Sequence, residues 1–144
     1  MKRIFMDTNV VIDFLANRQP FSLAAAEIFN MAVEETVKIY ISAVSYNNIY
    51  YILRQSLTNN STIKALVQLA DMTEIADVTN VIIHQSLKTD FKDYEDAIQY
   101  YCALSVPNID FIVTRNGRDF KRSTLPVLTP AEAIAVLNNF ISLT

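Results

Sequence analysis

The sequence predicts an α/β domain in which a central twisted, mainly parallel sheet of four to five short strands lies between two layers of helices. Three observations lead there. Short apolar runs rich in β-branched and aromatic residues alternate with longer stretches of helical periodicity. Strand and helix succeed one another in the way that builds parallel sheets covered on both faces. The 144 residues, 51% hydrophobic and 19% charged, suit one domain with a single sizeable core. No internal repeat, low-complexity tract or linker divides the chain, so residues 1–144 are read as one domain.

The elements follow in order. "RIFM" is the first strand, and residues 9–15 begin a helix. Ser22 opens a second helix through "LAAAEIFNMAVEE". "KIYIS", residues 38–42, is the second strand. In "SYNNIYYILRQSL", Tyr46, Ile49, Tyr50 and Leu53 recur at i, i+3, i+4 and i+7 and define a buried helical stripe. Residues 61–71 form the next helix. "TEIADV" is a third strand, after which Thr79 or Asn80 caps a helix running to about residue 88. Residues 93–104 are helical, and "DFIVT", residues 110–114, is the fourth strand. "PVL" is a short edge strand. The last helix lies in "TPAEAIAVLNNF", with Thr129 as N-cap, Pro130 in the first turn and Glu132 three after the cap.

Composition removes several functions. One glycine cannot make a phosphate-cradling loop, so P-loop and dinucleotide sites are excluded. His84, the only histidine, sits on a helix and is read as structural or surface, which argues against a Ser-His-Asp mechanism. The sole cysteine, Cys102 of "YYCAL", is read as a buried, inert thiol. With no disulfide and no leader the expected location is cytoplasmic. No apolar run reaches the roughly 18 residues of a membrane helix. The net charge of -3 is the wrong sign for drawing nucleic acid by bulk attraction. Yet four of the twelve basic residues, Arg115, Arg118, Lys121 and Arg122, fall within eight positions and form a local basic lip.

The chemistry gathers at strand ends. In "IFMDTNVVIDFL", Asp7 stands where strand gives way to helix. In a parallel α/β sheet that is where ligands are met, although an aspartate there can also cap the helix. "DFKDYEDAIQYY" supplies Asp90, Asp93, Glu95 and Asp96 at a helix start. Asp93 and Asp96 are three apart and project from one face, but they also read as a cap and its partner. "TRNGRDF" adds Thr114, Asn116 and Asp119 after strand four. Asp13, six after Asp7, falls off the side facing these groups and is read as surface. Oxygen donors without histidine or cysteine suit Mg²⁺ or Mn²⁺ rather than zinc.

"MDTNVVIDFL", "ISAVSYNNIYYILR", "DYEDAIQYYCA" and "DFIVTRNGRDF" resemble, in that order, the segments of a PIN domain, and the similarity reaches the final "LPVLTPAEAI". The resemblance implies a twisted parallel sheet between helices and a pocket of acids holding Mg²⁺ or Mn²⁺ for RNA hydrolysis. Many small stand-alone bacterial members are toxins of the VapC type, neutralised by an antitoxin. By position the first family acid falls on Asp7, with Asn9 helping to orient it, and the third on Asp96. The second falls on Asn48, with Asn47 the other candidate, and the fourth on Asn116. Both departures exchange a charge for an amide oxygen. Asp93 and Asp119 are the substitutes nearest to family positions. On this reading Asp7, Asp96 and Asp119 hold the cation, with Asp93 a further ligand or the base for a water. Arg115, Arg118, Lys121 and Arg122 draw the RNA backbone to them. Tyr51, off the buried stripe, is free to meet a base or a partner. The expected activity is that of a metal-dependent endoribonuclease toxin with an antitoxin partner. The alternative is a non-catalytic module that binds RNA or a protein. A homodimer is left open.

Overall fold

The computed structural model describes residues 1–143. β1 (Lys2–Met6) leads into α1 (Thr8–Leu15), and α2 (Ser22–Val33) precedes β2 (Val37–Ser42). α3 (Ala43–Leu53) and α4 (Asn59–Met72) follow, then β3 (Glu74–Ala76), α5 (Asn80–Lys88) and α6 (Tyr94–Ser105). β4 (Phe111–Val113), a 3₁₀ turn at Gly117–Phe120, β5 (Val127–Leu128) and α7 (Pro130–Leu143) complete the chain. The five strands are all parallel and ordered β3-β2-β1-β4-β5.

The period of two along each strand sorts side chains between two cores. Ile4 and Met6 of β1, with Ile39 and Ile41 of β2, pack against Val10, Ile28, Phe29, Ile49 and Leu137. That layer is made by α1 to α4 and α7. Phe5 and Ile112 face the other way, onto Ile82 of α5 and Ile98 and Cys102 of α6. The result is helix, sheet, helix, as the alternation of strand and helix predicts. No helix among the described residues is long and apolar enough to cross a membrane.

Caps set several boundaries. Thr79, rather than Asn80, caps α5 by accepting from the Ile82 N–H. At α7 Thr129 and Glu132 exchange both bonds of a capping box, at 3.2 and 2.9 Å. α4 starts two residues earlier than its periodicity implies, because Thr58 accepts from the Ser61 N–H. The α3 stripe divides: Ile49 and Leu53 are buried, whereas Tyr46 and Tyr50 are half-buried and the Tyr50 hydroxyl donates to Asn59 Oδ1.

The strand order has one consequence for function. From β1 the chain builds outward through β2 and β3, then crosses to the opposite side for β4 and β5. The reversal lies between β1 and β4. At the carboxyl ends of these strands the following segments diverge and leave a crevice, the usual place for a ligand in an open α/β sheet.

Candidate functional site

Asp7 follows β1 at this reversal, and its side chain does not cap α1. It turns to β4 instead, where the Thr114 hydroxyl donates to Oδ2 at 2.8 Å. Asp7 N–H meanwhile continues the ladder to Val113 O. Thr114 accepts in turn from the Asn116 N–H at 3.1 Å, so one buried hydroxyl fixes both the acid and the loop beyond β4. No hydrogen bond among the described residues joins Asn9 to Asp7. The Asp7 carboxyl is only 5% exposed. Burial raises its pKa; the bonds from Thr114 and the Thr8 N–H pull it back, and the charges of Glu95 and Asp119 push it up again.

α6 supplies the facing acids. Asp93 is its N-cap, accepting from the Asp96 N–H at 3.2 Å, so the capping alternative and a place in the cleft hold together for this residue. Asp96 is half-buried. Burial first, then the charges of Asp93, Asp7, Asp119 and Glu95, push its carboxyl up to about 7. Asp119 belongs to the 3₁₀ turn, which is anchored by the buried Phe120 and by the Asp119 N–H to Asn116 O bond. Asp93, Asp96 and Asp119 line a cleft of about 250 Å³ together with Arg118, Lys121 and Arg122. Arg122 pairs with Asp90 at 2.9 Å.

One expectation needs correction, and one basic residue lies apart from its group. Asp13, read as surface, is 1% exposed and accepts from Arg115 Nε and Nη2 at 2.6 and 3.2 Å. A carboxylate is kept buried only by such a partner. Arg115, grouped with the RNA-drawing cations, is therefore committed to α1. Its guanidinium also lies 3.9 Å from the Phe21 ring centroid, and it does not line the acidic cleft. Asn116 and Asn47 are exposed, and the Asn48 amide donates to Glu95 Oε1 at 3.1 Å. His84 and Tyr51 are exposed, and the buried Cys102 thiol is raised to about 11.

Sequence reasoning left Glu95 out of the site, although its charge bears on both Asp7 and Asp96. Its acidic neighbours were visible, but an acid in a first helical turn reads equally as a dipole complement. A neutral hub missed altogether lies within the three helices. Thr8 Oγ1 and Ser45 Oγ are 2.7 Å apart, and Gln99 Nε2 donates to both, at 3.3 and 3.0 Å. Gln99 is 1% exposed, and its Oε1 has no donor.

The donor set is all oxygen, and Asp7 and Asp96 are raised by burial and then by the acids around them, which is the charge pattern a hard cation offsets. The orphaned Gln99 acceptor suits a water or such an ion equally. In donor chemistry the residues fit Mg²⁺ or Mn²⁺. Among the described residues, however, no three Asp, Glu, His or Cys side chains converge into a ready-made cage.

A PIN domain matches residues 3–118. The chain belongs to the PIN domain family. This PIN domain is similar in fold to a chain of VapBC-1 from nontypeable Haemophilus influenzae, with TM-score 0.66 and 20% identity over 90% of this chain and 98% of that one. It is similar also to a chain of Rickettsia felis VapBC2, solved bound to a DNA fragment from their promoter (TM-score 0.65, 18% identity, 88% and 98% covered). A third likeness is to Mycobacterium tuberculosis VapC20, a sarcin-ricin loop cleaving toxin (TM-score 0.58, 14% identity, 76% and 86% covered). No curated protein sequence matches this PIN domain.

Proposed function

We propose that this PIN domain is a Mg²⁺- or Mn²⁺-dependent endoribonuclease, acting in the cytoplasm as the toxin of a toxin–antitoxin pair. The observation that carries the reading is the gathering of acids where the strand order reverses: buried Asp7, held by the Thr114 hydroxyl, lies close enough for its charge, with that of Asp119, to raise Asp96. The similar VapBC structures and the RNA-cleaving VapC20 support RNA as substrate and an antitoxin as partner.

Asp7, oriented by Thr114, would hold the cation with Asp96 and Asp119. Such an ion, when bound, lowers the pKa of a water and offsets charge on the leaving oxygen. Asp93, exposed at the cleft edge and fixed by its capping bond, would accept the proton of a water. Arg118 and Lys121, with Arg122 shared with Asp90, flank the acids and hold the phosphates on either side of the cut bond. The second reading, a non-catalytic module that binds RNA or a protein, draws on the lack of a preformed acidic cage.

The test is cleavage of single-stranded RNA with Mn²⁺, with and without chelator. Asp7→Asn and Asp96→Asn should each reduce cleavage by at least about 100-fold, the upper end of what loss of an outer-shell partner costs a metal site. Both should stay folded. Cleavage by both variants at the parent's rate moves the site elsewhere. Mn²⁺ binding without cleavage in the parent favours the non-catalytic module.

A further inference from the structure

α3 and α6 are joined by two rungs. In the first, Ser45 Oγ accepts from Gln99 Nε2 at 3.0 Å and lies 2.7 Å from Thr8, the residue after Asp7. In the second, one turn along each helix, Asn48 Nδ2 donates to Glu95 Oε1 at 3.1 Å. Residues three or four apart share a helix face, so position 48 lies on the same side of α3 as Ser45, and Glu95 on the same side of α6 as Gln99. The first rung touches the residue next to Asp7, and the second stands one turn away from it. Asp96 sits between the two rungs on α6.

We infer that Glu95, held by the Asn48 amide, is the carboxylate that serves the cation from the α3 side of the cleft. The inference rests on the metal-dependent reading above and adds one ligand to it. Asn48 cannot give charge, but its N–H fixes one Glu95 oxygen and leaves the other free for an ion. An amide suits this task better than an acid, because two carboxylates 3 Å apart repel. The asparagine at 48 is thus the positioning partner of a charge supplied by α6.

The experiment titrates Mn²⁺ alone by calorimetry into the parent and four variants, each checked by thermal unfolding. Glu95→Gln keeps an acceptor for Asn48 and removes only the charge; Mn²⁺ affinity should fall about 10-fold or more. Asn48→Ala keeps the charge and frees the side chain, giving a smaller fall. Asn48→Glu alone should not tighten binding, since the new acid faces Glu95. Asn48→Glu combined with Glu95→Gln moves the charge to α3 and should restore parental affinity. Parental affinity in Glu95→Gln, with Asp7→Asn losing the ion, overturns the inference, as does a swap that restores nothing. No Mn²⁺ binding by the parent overturns it together with the metal-dependent reading. RNA left uncut by a parent that binds Mn²⁺ through Glu95 removes the nuclease reading and leaves this one standing.

Discussion

Arg115 and Asp13 show what a single pair can hide. Asp13 is 1% exposed and its only salt-bridge partner among the described residues comes from 102 positions away. Helical spacing from Asp7 carries no information about a partner beyond β4, so the sequence read Asp13 as surface and Arg115 as an RNA contact. Removing Arg115 strands a buried carboxylate, and Arg115→Ala should cost about 3–5 kcal/mol in urea unfolding. Arg115→Met with Asp13→Leu should recover most of that. An Arg115→Ala protein of parental stability would mean that water reaches Asp13. Asp93 permits a similar separation. Asparagine caps a helix as well as aspartate, so Asp93→Asn should hold stability within about 0.5 kcal/mol while slowing RNA cleavage. Parental cleavage in that variant would reduce Asp93 to a cap.

The regular elements were the legible ones, because their signals are local. The Thr129–Glu132 box, the Thr79 cap and the strand patterns each lie within a few residues, and they mark α7, α5 and the sheet. The 3₁₀ turn was not legible. Four residues, Gly117–Phe120, carry no period, and the turn takes its place from the buried Phe120 and its contacts with β5 and α6. That turn aims Arg118 and Asp119 into the cleft and brings Lys121 and Arg122 behind them. Replacing Arg118, Lys121 and Arg122 by alanine should weaken RNA binding and flatten the slope of log affinity against log salt by up to about 2, at roughly 0.7 per phosphate contact on a single strand. Arg115→Ala should leave the slope alone. An unchanged slope in the triple variant would place the RNA elsewhere.

For the molecule as a whole, strand order was beyond the sequence, since neighbouring strands are chosen by packing across the sheet. The acids were legible singly, at strand and helix ends, but their meeting was not, and Glu95 stands out only through its charge on Asp7 and Asp96 and its bond to Asn48. Burying these acids, and then setting them beside one another, makes stability depend on pH. The folded Asp7 and Asp96 carboxyls are raised above 3.8, Asp96 to about 7. The folded state therefore binds these protons more tightly than the unfolded chain, and the contribution is present below about 3.8 and lost as pH rises toward about 7. Without metal, these two groups should make the melting temperature fall across that window. Asp96→Asn should flatten the fall, and saturating Mn²⁺ should reverse it by binding the ionised form. A melting temperature that rises through the window in the metal-free parent, with no change in Asp96→Asn, would show that the Asp96 carboxyl is not raised by burial and its neighbours.

The sheet ends in β3, three residues long, and β5, two residues long, while β1 and β2 at its centre span five and six. An incoming strand would find almost no open backbone at either border, and short borders of this kind guard against edge-to-edge aggregation. Such borders disfavour growth by sheet continuation and leave helices and loops to carry the outer surface.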